Sequence, residues 1–196
     1  MRKVKKEENY PMTLFHYPEE YIHYLAEYNG SRDYFECHEI MEEYWKEHPE
    51  SEFKTSWLAL IRIPVCLYHA RRGNWTGAVK LMGKAAEEAE ALQFDKLGLD
   101  GARLVEELRR AAKEWRDPGA RYADIELPIT DGELLEAAKE RCKELGYRWG
   151  IPGLEAGDDV IHRHRTRDRS EVVLARKESA KRKALSRGIP DDDSRR

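Results

Sequence analysis

The sequence predicts an all-α fold: a compact bundle of about five to six helices, crossed by an extended strap and followed by a polar, basic C-terminal tail. Three observations predict it. Between Pro18 and Leu145 apolar residues recur at steps of three and four, the spacing that lines one face of a helix. The apolar/polar alternation of a half-buried strand is absent there. Capping residues and glycine or proline breaks punctuate the same stretch.

Each element follows from its own residues. Residues 1–17 form a polar N-terminal extension. A first helix is expected from about Pro18 to Tyr28, burying Tyr21, Leu25 and Tyr28 and ending at Asn29-Gly30 in a left-handed cap. A second begins at Asp33, whose carboxylate caps the free amides while Glu36 answers three residues later. The third, about Phe53 to Arg72, is apolar on nearly every side, from Trp57 and Leu60 to Leu67 and Tyr68, so it is expected at the centre. Pro64 inside it removes one amide bond and predicts a kink, and Gly73-Asn74 ends it.

A fourth helix is expected from Thr76, with Ala78, Met82, Ala85, Ala89 and Leu92 on its inner face. A fifth runs from Asp100 to Trp115 and is broken by Asp117-Pro118-Gly119. Tyr122 to Ile129 is too short and proline-containing for a helix and reads as the strap. Thr130 and Glu133 predict a capping box that opens a sixth helix, ending at Gly146. The helical-bundle domain is thus placed at 18–150, and 151–196 is expected to be a linker and a basic tail.

Charge is divided unevenly along the chain. His162 to Arg187 carries ten Lys or Arg against three acidic residues, whereas Met1 to Gly157 carries 23 basic against 30 acidic. Such a tail suits a solvated run or weak, sequence-independent contact with nucleic acid, since no aromatic residue is interleaved among the arginines for stacking. Three cysteines, Cys37, Cys66 and Cys142, make no disulfide framework, as expected in a reducing compartment. The basic N-terminus precedes no apolar stretch, and the run Trp57 to Ala70 is shorter than the roughly 20 residues a membrane span needs. The cytoplasm is the expected location, with no membrane span.

A polar cluster interrupts the apolar faces. On a wheel stepping about 100° per residue, His38 and Glu42 fall inside the stripe made by Tyr34, Phe35, Met41 and Trp45. On the third helix, Arg62 and His69 share a face with Leu58 and Val65. An isolated buried charge is costly, so Arg62 is expected to meet Glu42, with His38 and His69 close by.

These residues closely resemble a bacterial family, the domain of unknown function 309. The resemblance is carried by Tyr34-Phe35-Glu36-Cys37-His38-Glu39 continued by Glu42, Glu43 and Trp45, then by Tyr68-His69-Ala70-Arg71-Arg72-Gly73-Asn74 and Gly77-Ala78. It covers about Tyr21 to Leu92 well. It implies a compact helical bundle in which His38, Glu39, Glu42, Trp45, His69, Gly73 and Asn74 match signature positions, and it implies no reaction. The chain departs from the pattern at Arg62 and Pro64, where a neutral Gln and a small residue are common. With Arg62 and Arg72 added, the candidate cluster is His38, Glu39, Glu42, Trp45, Arg62, His69, Arg72 and Asn74.

Three chemistries suit that cluster. As a hydrogen-bonded plug it would fix helix register in an interaction or structural module, which is the reading preferred here. As an acid–base centre, His38 would act as base, Glu42 as its orienter, Arg62 as an anion binder and His69 as acid. As a metal centre, His38 and Glu42 would join Cys66 and His69. The H-E-x-x-H and E-x-x-H spacings of helical metal sites are absent, as is any glycine-rich phosphate loop, so neither metal nor cofactor is expected. A protein partner or a small ligand is.

Overall fold

The apolar periodicity is realised as helices: α1 (Glu19–Asn29), α2 (Tyr34–Glu47), α3 (Lys54–Arg71), α4 (Trp75–Glu88), α5 (Ala91–Lys96), α6 (Gly101–Glu114), α7 (Gly132–Glu144) and α8 (Asp158–Ile161), with a 3₁₀ turn at Gly153–Glu155. The computed structural model describes residues 16–163; among them no strand occurs, and the strap is tied by a single antiparallel bridge between Leu99 and Ile129. The compact unit that holds the helices closes at Ile161. The expected basic tail lies almost wholly outside the described residues.

α3 is the central helix, packed against α2 on one side and α4 on the other. It buries Trp57, Leu60, Ile63, Cys66 and Leu67 almost completely, as its all-round apolar surface requires. The helix continues through Pro64, which has no N–H to give the carbonyl of Leu60 one turn earlier. That carbonyl is met instead by Tyr24 Oη from α1 at 2.9 Å. Tyr24 belongs to a row of fully buried tyrosines whose other hydroxyls donate elsewhere: Tyr21 to Leu97 O at 3.1 Å and Tyr28 to Ile125 O in the strap at 2.7 Å. α1 is therefore bolted to three parts of the bundle by polar ends on apolar rings.

Several local expectations are corrected. Gly30 is not left-handed, with φ −98°; its missing side chain is needed for space, because a Cβ there would stand 2.6 Å from Cys142 Sγ of α7. The left-handed residue after α1 is Arg32, at φ 57°. Leu92 does not extend the inner face of α4: the chain turns at Ala89, and Leu92 sits on the separate α5 with 78% of its surface exposed. Asp131, not Thr130, caps α7 by accepting from Leu134 N at 2.9 Å. α4 starts one residue early, because Asn74 Oδ1 accepts from Gly77 N at 3.1 Å and caps it. At α2 the Asp33 cap is present, but the Asp33 amide donates to Ser31 Oγ at 2.9 Å.

The stretch after Gly150, expected as a linker, is tied down over its first residues. Gly150 N donates to Asn29 O at 2.8 Å, and Arg32 Nε to Ile151 O at 2.6 Å. Gly153 and Ala156 are buried.

Candidate functional site

The eight candidate residues divide among three places. The expected Arg62–Glu42 pair does not form. Arg62 reaches α4 and grips Glu88 with two hydrogen bonds, Nε to Oε2 at 2.5 Å and Nη2 to Oε1 at 2.8 Å. The two side chains are 21% and 22% exposed, so this is a bidentate clamp at the margin of the core rather than a buried ion pair. Glu42 instead pairs with Lys46, one turn along α2, at 2.7 Å. The reason lies in the helix wheel: its angles assign a sector but not a height. Arg62 is long enough to leave that sector for a carboxylate on the other neighbouring helix.

His38, Glu39 and Glu42 stay together on α2, half-buried rather than inside the core. His38 Nδ1 lies 2.9 Å from Glu39 Oε1. A carboxylate accepts only, so Nδ1 carries the shared proton. One ligand atom from each of the three residues lies within 4.8 Å of the other two. Trp45, one turn on, packs its ring against the core, and its Nε1 is shielded from solvent without a hydrogen-bond partner.

His69, Arg72 and Asn74 make the corner between α3 and α4. Asn74 Oδ1 is occupied by the amide of Gly77, so its Nδ2 donates to His69 Nδ1 at 3.0 Å, and the imidazole proton sits on Nε2. Burial, with the nearby Arg72 charge, holds the His69 pKa below its ordinary value of 6.5. Arg72 lies over the ring of its neighbour Tyr68, 5.0 Å from the centroid, and bonds its hydroxyl. The folded state therefore favours neutral His69, so the unfolded chain takes up the proton first on acidification. This contribution to stability is complete above about pH 6.5 and is lost as pH falls through the lower folded value. Thermal melts between pH 5 and 8 are expected to show a loss on the acid side that is smaller in His69→Gln; equal slopes would refute the assignment.

A second polar assembly escaped the sequence reading. Arg71, at the end of α3, donates from Nη1 to the carbonyls of Arg32 and Gly153, both at 3.1 Å, while its guanidinium lies 4.7 Å from the centre of the Tyr34 ring. Asp124 of the strap accepts from Tyr122 Oη at 2.6 Å and from Gly153 N at 2.8 Å. Burial pushes the Tyr34 phenol up to about 12 and Tyr122 higher, so both remain protonated donors. The clasp joins the α1–α2 turn, α3, the strap and the 3₁₀ turn. Arg71 stands inside the quoted Tyr68–Asn74 motif, and an arginine flanked by Ala70 on a buried helix is the signal that could have found it.

Comparison with known proteins now bears on the same residues. The profile described as Domain of unknown function (DUF309) matches residues 21–81. "Uncharacterized protein YpuF" of Bacillus subtilis (strain 168) is 42% identical over 173 residues, covering 87% of this chain and 99% of the relative. The chain belongs to the domain of unknown function 309 family. No solved structure matches it.

The family segment holds the α2 triad, Lys46, Arg62 and the α3–α4 corner, whereas Glu88, Asp124 and Gly153 lie beyond it. Three surface grooves of about 430, 350 and 450 Å³ are lined by other parts of the chain: Trp75 and Trp115, Ser31 and Tyr147, and Glu107 and Glu126. Neither His69 nor Cys66 joins the α2 triad as a metal-ligating group among the described residues, so the four-ligand arrangement of the sequence reading is not made. The acid–base arrangement likewise loses Arg62 to Glu88 and has His69 bonded to Asn74. No helix among the described residues is long and apolar enough to cross a membrane.

Proposed function

We propose that this protein is a helical module that binds a divalent cation on α2, through His38, Glu39 and Glu42. The observation that carries the reading is the grouping of their ligand atoms within 4.8 Å of one another, the one such grouping of three among the described residues. One imidazole nitrogen with carboxylate oxygens suits the borderline first-row cations, zinc, cobalt or nickel, better than an all-oxygen site would. Glu39 supports the reading in a second way. Its Oε1 stands 2.9 Å from His38 Nδ1, so a cation that displaces the shared proton takes that nitrogen and the Glu39 carboxylate together.

This reading departs from the sequence expectation of no metal, which rested on missing spacing motifs. It keeps the preferred structural interpretation for the remaining candidates. Arg62 clamps α4, Asn74 caps it, and His69 completes that corner, so these side chains serve architecture. A cytoplasmic location belongs to the same reading, supported by three buried, free cysteines. The protein or small-molecule partner would be met at the α2 face.

The test is a titration of metal-free full-length protein with Co²⁺, followed by visible absorption and by Zn²⁺ competition. His38→Ala and Glu42→Gln are each expected to weaken binding by about tenfold or more, with unchanged circular dichroism. Cys66→Ser and His69→Gln are expected to bind as the parent does. Equal affinity in His38→Ala and the parent would overturn the proposal.

A further inference from the structure

Lys46 holds one oxygen of the proposed cation site. Its Nζ stands 2.7 Å from Glu42 Oε2, with glutamate on the N-terminal side of the i, i+4 pair, the orientation that helices favour. Glu42 is one-third exposed and Lys46 more than half, so an incoming cation reaches the carboxylate from solvent and meets the ammonium already there. A second cation arriving at Glu42 must either expel this ammonium or share the carboxylate with it.

We infer that Lys46 is a built-in competitor that sets both the affinity and the selectivity of the α2 site; the inference rests on the cation-binding reading above. With Oε2 engaged, Glu42 offers one oxygen, Oε1, and the site becomes a monodentate carboxylate beside an imidazole. Zinc and cobalt accept that set, since they take one oxygen and one nitrogen at tetrahedral or slightly larger coordination number. Calcium needs six to eight oxygens and commonly takes a carboxylate through both, and magnesium keeps its waters unless several oxygens replace them. The lysine therefore discriminates against the hard cations, in addition to repelling every cation that approaches.

The test compares parent, Lys46→Met, Lys46→Arg and Lys80→Met by isothermal titration with Zn²⁺, Co²⁺, Ca²⁺ and Mg²⁺ separately. Lys80 is an exposed lysine on α4 and controls for general loss of positive charge. Lys46→Met is expected to bind Zn²⁺ roughly tenfold more tightly, from the removal of one like charge near the ion, and to gain proportionally more for Ca²⁺. Lys46→Arg and Lys80→Met are expected to match the parent. Equal binding by Lys46→Met and parent, or an equal gain in Lys80→Met, overturns the inference and leaves the cation site standing. Binding by Lys46→Met alone upholds the inference while overturning the reading of the unmodified protein as a cation binder. Binding by neither overturns both.

Discussion

Arg71→Met is expected to destabilise the protein by about 3 kcal/mol, since it removes two hydrogen bonds from a charged donor, worth roughly 1.5 to 3 kcal/mol each, and leaves Gly153 O unmet while Arg32 O keeps the Tyr34 amide at 3.0 Å. The carbonyls belong to Arg32, in the left-handed conformation an L residue resists, and to Gly153 of the 3₁₀ turn. Arg71 helps to hold both places. Its loss should also remove the stacking on Tyr34 and release the segment from Gly150 to Ala156. A urea titration would measure the first effect, and hydrogen exchange confined to residues 150–156 the second. Arg71→Lys is expected to recover little, because an ammonium cannot reproduce the planar fork. A stability loss below about 0.5 kcal/mol, within the ordinary range of surface substitutions, would mean that the clasp holds nothing.

Tyr24→Phe is the next largest, at about 2 kcal/mol, in the range for a buried acceptor left unmet. The change deletes one oxygen and leaves the ring. Most tyrosine-to-phenylalanine changes are mild because water or a neighbour takes over the bond. Here the acceptor is the Leu60 carbonyl, which Pro64 leaves without its helical donor, and Tyr24 is fully buried. Replacing Pro64 with Ala in the same background should reverse part of the loss, because residue 64 then regains an N–H for Leu60. A double-mutant cycle measures this coupling, and strictly additive effects would contradict it.

How far the molecule could be read from its residues differs from one feature to the next. The all-α class, the central position of α3 and the strap from Tyr122 to Ile129 were legible, because each depends on which side chains need burial and how often they recur. The Asp33 cap was equally local, resting on a carboxylate three residues from an amide. The α2 triad was legible in part: His38 and Glu42 are one turn apart in any helix. Lys46 was accessible to the same i, i+4 reasoning and was overlooked.

Arg62 marks where such reasoning ends. Its charge demanded a partner, and the demand was met, but by Glu88 rather than Glu42. A flexible side chain flanked by helices on two sides can satisfy its charge with either, and periodicity carries no information about which carboxylate stands at its height. Gly30 teaches the same lesson in steric form. As sequence it reads like a helix stop; in the fold it is the gap through which Cys142 of α7 approaches α1.

By itself, then, the sequence determined the main helices, their inward faces, the Asp33 cap and the presence of ionisable groups on the apolar faces, since all of these follow from interactions within a few residues. Only the tertiary structure decided the pairings: Arg62 with Glu88, Tyr24 with Leu60, Arg71 with Arg32 and Gly153. Those contacts join residues far apart in the chain, and their partners are chosen by how the helices pack, which no local pattern specifies.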